Sequence, residues 1–294
     1  MGPPISERKL SQEGLWETRK EILGWMFDGI KRTIKLLESK CTKLRGKIKH
    51  ALEFSRKNKK AFIPLRSFKK LHGKLQFATI ALAIGKPLMG PLDVALSRAQ
   101  NSRDKRVTLM SELAQTLLDW RYIIKLIVER STFCDELVLH TAAYQGFVDA
   151  SKWGVGGVWF GRTQTLQPIV WFLQWPTNIS NRLVSDANPT GDISISDLEL
   201  LGIFINWLVL EYAVDKTTLK FNSVAMWCDN LPAVAWLYKM RNSSSEIAAH
   251  ILRAFAIRLQ HLQAAVPLVE HISGILTFWP ILPQEITPLT TPTS

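Results

Sequence analysis

The stretch YQGFVDASKWGVGGVWFG, Tyr144 to Gly161, decides how this chain is read. It begins as an apolar and aromatic strand, meets Asp149, turns around Ser151 to Trp153, and runs through closely spaced glycines into a second apolar segment. Burying a carboxylate without a partner is costly, so Asp149 in such a strand asks for compensation. The glycines of GVGG (Gly154–Gly157) do not open a helix as a nucleotide-binding G-x-G-x-x-G does; strand pattern follows them. They read as hairpin geometry and close backbone approach.

Outward from this hairpin, QPIVWFLQWP supplies a third strand, so the order starts as a meander. The polar NRLVSDANPTGDIS is a loop. ISDLELLGIFINWLVLEYAV has the length and apolar content of a buried helix, SVAMWCDN reads as a strand, and LPAVAWLYKM as a helix opened by Pro232. SEIAAHILRAFAIRLQHLQ is a longer helix and VPLVEHIS a last strand. Three strands, a helix, a strand, two helices and a fifth strand make a mixed α/β unit.

The earlier part has a different texture. Ile22, Trp25 and Phe27 precede the turn pair Asp28-Gly29, and Ile30, Ile34 and Leu36 follow it, which predicts a β-hairpin. Ser39 is placed to cap a helix with Cys41, Leu44, Ile48, Ala51 and Leu52 on one face and lysines and arginines on the others. A second helix carries Leu65, Phe68, Leu71, Leu75, Ala78 and Leu82, ending at the Gly and Pro of AIGKPLMGP. A short helix near Leu92 to Arg98, a polar loop AQNSRDKR, and a helix from Leu109 to Glu129 follow. The predicted organisation is a mainly helical segment with a hairpin over 1–130, a mixed α/β domain over 137–279, and a Pro/Thr-rich tail over 280–294.

Charge divides along the same line. The chain has 37 Lys and Arg against 25 Asp and Glu, a net +12; Met1–Lys70 alone holds 19 against 7, and the remainder is balanced at 18 against 18. Such asymmetry points to a polyanion-binding segment, with a plain solvated basic surface as the alternative. Lys43, Lys47, Arg66, Lys69 and Lys74 are the candidate phosphate contacts. The most apolar run, LLGIFINWLVLEYAV, carries Asn206 and Glu211, so no membrane span is expected. The first residues lack an apolar signal core, and Cys41, Cys134 and Cys228 form no C-x-x-C, which predicts reduced cysteines in an intracellular protein, in cytoplasm or nucleus.

Three acidic residues interrupt apolar structure: Asp149 ends the first strand of the mixed unit, Glu199 lies early in the buried helix, and Asp229 ends the fourth strand. If the first and fourth strands are neighbours, the three converge into an oxygen-only cluster that Mg²⁺ or Mn²⁺ would neutralise. Phosphodiester hydrolysis with two metal ions uses such clusters. Each residue has a structural alternative. Asp149 with Ser151 can shape the turn before Gly154; Ser196 and Glu199 form an S-x-x-E capping box; Asp229-Asn230 can cap the helix after Pro232. His271 is either a catalytic base or a loop residue, and lacks a partner at zinc-ligand spacing.

FVDASKWGVGGV, ISDLELLGIFINWL and WCDNLPAVAWL resemble, in order and spacing, the three acidic motifs of the ribonuclease H domain of retrotransposon reverse transcriptases. The resemblance covers Leu137 to Gly274. It implies a ribonuclease H-like five-stranded mixed sheet with flanking helices, metal-dependent cleavage of the RNA strand of RNA/DNA hybrids, and Asp149, Glu199 and Asp229 as catalytic metal ligands. KEILGWMFDGIKRTIKL is similar to the hairpin that closes the polymerase palm, and IPLRSFKKLHGKLQFATIALAIGKPLMGPL to the thumb and connection helices, which implies a template-primer or hybrid as partner. The polymerase F/Y-x-D-D motif is absent, so the chain reads as a fragment without polymerase activity. The family also supplies a fourth carboxylate, an Asp beyond the His of a segment like VEHISG; here no Asp follows Asp229, and Glu285 is a remote substitute. A nuclease impaired by that loss and a non-catalytic hybrid-binding fragment are the two functional expectations.

Overall fold

The computed structural model describes residues 15, 17–57, 62–80, 82–138, 141–161, 167–214, 223–242 and 245–273. The expected tail over 280–294, and Glu285 with it, lie outside the described residues.

Strands β1 (Arg19–Ile22), β2 (Trp25–Asp28) and β3 (Thr33–Leu36) form an antiparallel ribbon. The β2–β3 hairpin turns at Asp28-Gly29, where the Asp28 carboxylate accepts from the Lys31 backbone N–H at 2.8 Å and from Arg19 Nε at 2.8 Å. Asp is favoured there because its short side chain bonds its own turn. Ile30, expected in the second strand, sits in this turn and is 72% exposed. Helix α1 (Glu38–Lys57) already includes Ser39 in its first turn, so Ser39 is inside the helix and not at its cap. Cys41, Leu44, Ile48 and Ala51 are buried as the spacing requires.

Strand β4 (Phe62–Pro64) leads into α2 (Leu65–Ala78), which buries Phe68, Leu71, Leu75 and Ala78. Helix α3 (Met89–Asn101) extends beyond the expected Leu92–Arg98 into the segment expected as loop. Strand β5 (Arg106–Thr108) then pairs antiparallel with β4. Three-residue strands are too short to display a two-residue period, which is why the pattern hides them. Helix α4 (Ser111–Glu129) is followed by β6 (Thr132–Phe133), which adds to the edge of β3.

The second sheet holds β7 (Ala142–Ala150), β8 (Gly154–Gly161), β9 (Ile169–Gln174), β10 (Ser223–Cys228) and β11 (Leu268–His271) in the order β11-β10-β7-β8-β9. Strands β7, β8 and β9 are an antiparallel meander; β10 runs parallel to both β7 and β11. The mixed five-stranded sheet with its flanking helices is compatible with a ribonuclease H-like fold. A short helix, α5 (Thr177–Ser180), precedes α6 (Ile195–Ala213), α7 (Leu231–Lys239) and α8 (Glu246–Leu262). Among the described residues no helix is long and apolar enough to cross a membrane.

Helix α6 is apolar over much of its surface because it is covered on two sides. One side meets β7 and β8; the other meets α8, where Phe204 and Trp207 pack on Phe255 with ring centroids 5.1 and 5.7 Å apart. Trp159 Nε1 donates to the Asn206 carbonyl and Trp171 Nε1 to the Asn206 side-chain oxygen, both at 2.8 Å. Two strands thereby hold one helical residue. The glycines make room for it: a Cβ on Gly157 would stand 2.7 Å from the Phe147 carbonyl oxygen and 2.9 Å from Asn206 Oδ1. The helix answers with Gly202, where a Cβ would lie 2.8 Å from Val155 Cγ2 and 3.3 Å from Val148 Cγ2.

The helical half and the sheet half touch through charge as well as apolar packing. Asp93 on α3 accepts from His72 at 2.7 Å and from Arg241 just after α7, and Arg253 on α8 pairs with Asp119 on α4.

Gly202 provides a test of the close approach. An Ala in a helix interior gains about 1 kcal/mol over Gly in propensity, whereas forcing a methyl against a stiff valine costs about 1–3 kcal/mol. Gly202→Ala should therefore lower stability in urea unfolding. Combined with Val155→Ala, it should cost less than the two single changes together. Strictly additive costs would mean that the Gly202–Val155 contact is not what sets the spacing.

Candidate functional site

The three carboxylates come from three elements. Asp149 is the penultimate residue of β7, Glu199 lies in the second turn of α6, and Asp229 follows the last residue of β10. Because β7 and β10 are parallel neighbours, their C-terminal ends lie side by side, and α6 crosses above them. The alternation in β7 buries Tyr144, Gly146, Val148 and Ala150 and leaves Asp149 exposed at the strand end. The residue expected to be a buried, uncompensated carboxylate is thus exposed; the buried one is Glu199, 3% accessible.

Each structural role open to these carboxylates is filled by a neighbour. The turn after β7 is held by Ser151, whose hydroxyl accepts from the N–H groups of Trp153 and Gly154. Helix α6 is capped by Ser194 and Asp197, not by Ser196 and Glu199. Asp197 Oδ2 accepts from the Ser194 N–H at 2.9 Å and from its hydroxyl at 2.6 Å, while Ser194 Oγ accepts from the Asp197 N–H. Asp197 also accepts from Ser245 Oγ at 2.5 Å, and Ser245 caps α8. Helix α7 is capped by Asn230, whose oxygen accepts from the Ala233 N–H at 3.0 Å. Asp149, Glu199 and Asp229 are left for each other.

Their mutual repulsion shows at Glu199 and Asp149. Burial first, then the charges of Asp149 and Asp229, push the Glu199 carboxyl up to about 8. Desolvation and then Asp229 raise Asp149 as well; although its surface is exposed, enough protein surrounds the strand end for desolvation to be the larger cause. Glu199 Oε2 accepts from the Ala150 N–H at 3.2 Å and from Cys228 Sγ at 3.6 Å. Among the described residues no Lys or Arg side chain pairs with any of the three carboxylates. Converging anions without a protein cation fit a divalent ion.

Donor atoms of Glu199, Cys228 and Asp229 lie within 4.8 Å of one another. Asp149 stands outside this tightest group and is joined to it by charge. Cys228 carries no flag in the sequence beyond its place directly before Asp229. His271, at the end of β11, has its Nε2 3.0 Å from the Asp229 carbonyl oxygen, so the parallel pairing of β10 and β11 brings it to the rim of the cluster.

The basic candidates divide. Lys43 and Lys47 on α1, at helical spacing, act together with Lys40 on Lys74 of α2, whose pKa is lowered by desolvation and by these three charges. All four are exposed, and none has an acidic partner among the described residues. Lys40 lies over Gly24 of the β1–β2 turn, which has φ +89°. Arg66 and Lys69 are exposed on α2 but are not among the charges that shift Lys74. Lys40 is the member that sequence reasoning missed, and its three- and seven-residue spacing to Lys43 and Lys47 was the available signal.

No family model matches the chain, and no curated protein matches it. Solved structures similar to it include a foamy viral protease-reverse transcriptase dRH with double-stranded DNA, at 12% identity and TM-score 0.31 over 92% of this chain and 39% of that one. Two others are a foamy viral protease-reverse transcriptase with dsDNA (11%, TM-score 0.30, 91% and 47%) and with an RNA/DNA hybrid (11%, TM-score 0.27, 94% and 32%). The chain spans less than half the length of each of these.

The protonation of Glu199 makes stability depend on pH. In the metal-free protein Glu199 and Asp149 keep protons that an unfolded chain releases near ordinary carboxylate values. The folded state then binds more protons than the unfolded one, so stability falls as pH rises from about 4.5 to about 8. Glu199→Gln should flatten the fall, and Mg²⁺ should counter it at the upper end. A melting temperature with the same pH slope in wild type and Glu199→Gln would contradict this.

Proposed function

We propose that the chain is a retroelement-derived nuclease of ribonuclease H type, which cleaves the RNA strand of RNA/DNA hybrids. In this reading residues 137–279 form the ribonuclease H-like domain and residues 1–130 a segment similar to the thumb and connection of a reverse transcriptase. The observation that carries the reading is the convergence of Asp149, Glu199 and Asp229 at the ends of two parallel strands, with their capping and turn roles taken by Ser151, Asp197 and Asn230.

Asp149, Glu199 and Asp229 would hold the ions. Bound Mg²⁺ or Mn²⁺ supplies a water of lowered pKa and stabilises charge on the leaving oxygen. The chain's own residues do the rest. Glu199, fixed by the Ala150 N–H and by the docking of α6, is the rigid member; Asp149 and Asp229 at the strand ends would hold the ions on the side from which the phosphodiester approaches. His271 stands at the rim of the cluster, where its Nε2 donates to the Asp229 carbonyl oxygen, and is the candidate proton carrier of this reading. Lys43, Lys47 and Lys74 hold the phosphate backbone, with Arg66 and Lys69 as further contacts at the start of α2. A site of Asp149, Glu199 and Asp229 alone would hold a second ion less well than the first, which gives weak activity in Mg²⁺ and makes Mn²⁺ the better ion.

The second reading is a hybrid-binding protein without cleavage. It is favoured by the position of Asp149 outside the tight group of donors. Incubating the purified chain with a labelled RNA/DNA hybrid separates the two: cleavage in Mn²⁺ that Asp149→Asn abolishes supports the nuclease, and binding without cleavage in either ion supports the second reading. Cleavage that persists in Asp149→Asn would place the site elsewhere.

Binding itself should depend on salt. Replacing Lys43, Lys47 and Lys74 with Gln should reduce the log-log salt slope of hybrid affinity by roughly 0.7–0.9 for each phosphate that is no longer neutralised. An unchanged slope would remove this face from the interface.

A further inference from the structure

Cys228 is the last residue of β10 and is fully buried, and its sulfur faces the carboxylate cluster. Its Sγ lies 3.6 Å from Glu199 Oε2, and the backbone N–H of Asn230 donates to the same sulfur at 3.4 Å. That N–H offsets only part of the effect of burial and of the Glu199 and Asp229 charges, which raise the thiol pKa, so without an ion the sulfur keeps its proton. We propose that Glu199, Cys228 and Asp229 form a mixed oxygen–sulfur site for a thiophilic divalent ion of the Zn²⁺ class, which competes with the hard ion for the same two carboxylates. The inference rests on the reading of this cluster as a cation site and adds a ligand and a metal class to it.

The geometry is that of two ligands on one ion. Bonds of about 2.3 Å to sulfur and about 2.0 Å to oxygen at a tetrahedral angle put the two donors about 3.5 Å apart, against the 3.6 Å found between Cys228 Sγ and Glu199 Oε2. An Asp229 oxygen lies within 4.8 Å of the other two donors, near enough to be drawn in as a third ligand by a small rotation, which leaves one position open. Mg²⁺ and Mn²⁺ prefer oxygen and have little use for the sulfur, whereas thiolate selects softer ions. On binding, the ion takes the sulfur as thiolate and the thiol proton passes to solvent; no electrons are exchanged. A thiophilic ion so held takes Glu199 and Asp229 away from the hard ion, so it inhibits where Mn²⁺ supports.

Cadmium is the probe, because a Cd²⁺–thiolate bond has an ultraviolet charge-transfer band that Cd²⁺–carboxylate lacks. The full chain titrated with Cd²⁺ alone should develop this band at one equivalent, and Cys134→Ser should keep it. Cys228→Ser should lose it. Loss of even an outer-shell partner costs about 10- to 100-fold in metal affinity, so Cd²⁺ affinity should fall by at least roughly that much while Mn²⁺ affinity stays within about threefold. A band that survives in Cys228→Ser, or equal losses for Cd²⁺ and Mn²⁺, would overturn the proposal. Should Cys228→Ser not fold, Asp229→Asn in the native-cysteine chain decides: the band must weaken, and an undiminished band overturns the site. Hybrid cleavage in Mn²⁺ without any Cd²⁺–thiolate band would sink this inference and leave the nuclease reading standing. A band without cleavage would do the reverse.

Discussion

The close docking of helix α6 on strands β7 and β8 is the constraint on which the site depends. Gly202 on the helix meets Val155 and Val148, and Gly157 on the sheet gives way to Asn206. Trp159 and Trp171 then pin Asn206 from two strands. Glu199 lies one turn before Gly202, so the spacing that admits no Cβ at Gly202 also decides how far the Glu199 carboxyl stands from the strand ends. A looser helix would leave Glu199 wet and far from Asp149 and Asp229. The docked one desolvates it and places it against both charges.

This arrangement is unfavourable to the isolated fold, since a carboxyl raised to about 8 gives up most of its preference for ionisation near neutral pH. Folding tolerates the cost because the surrounding backbone is satisfied independently. Ser194 with Asp197, Ser245 and Asn230 close three helix N-termini, and Ser151 closes the hairpin turn. Asp197, buried at 2%, shows the contrast within one helix: two residues from Glu199, it has three donors aimed at its oxygens and a purely structural task. Burial alone does not distinguish the two acids; their partners do.

The basic surface follows a similar logic at lower density. Lys40, Lys43, Lys47 and Lys74 come from two packed helices, and the first three stand close enough to Lys74 to add to the desolvation that lowers its pKa. Like charges held on a rigid surface favour a counter-ion that is itself multivalent. The apolar faces of α1 and α2, buried beneath, fix where those lysines point. The ion pairs Arg241–Asp93 and Arg253–Asp119 then link this half to the sheet.

What the amino-acid sequence determined by itself was local. The period of its apolar residues specified α1, α2, α4, α6 and α8, the strands from β7 to β11, and the hairpin at Asp28-Gly29, because side-chain direction repeats every 3.6 or 2 residues and burial selects the matching pattern. The candidate carboxylates were legible because each interrupts an apolar run. Strands β4, β5 and β6 were not, being too short to carry a period and formed only by a partner distant in the chain. Which acid caps α6 was not legible either: Ser196 with Glu199 and Ser194 with Asp197 both offer caps, and only the docking of the helix, which turns Glu199 toward the strand ends and Asp197 toward Ser245, separates them. Cys228 became a candidate ligand for the same reason. A cysteine in a sequence has no neighbours but those beside it, whereas its distance to a glutamate 29 positions away is set by how β10 lies beside β7 and how closely α6 sits upon them.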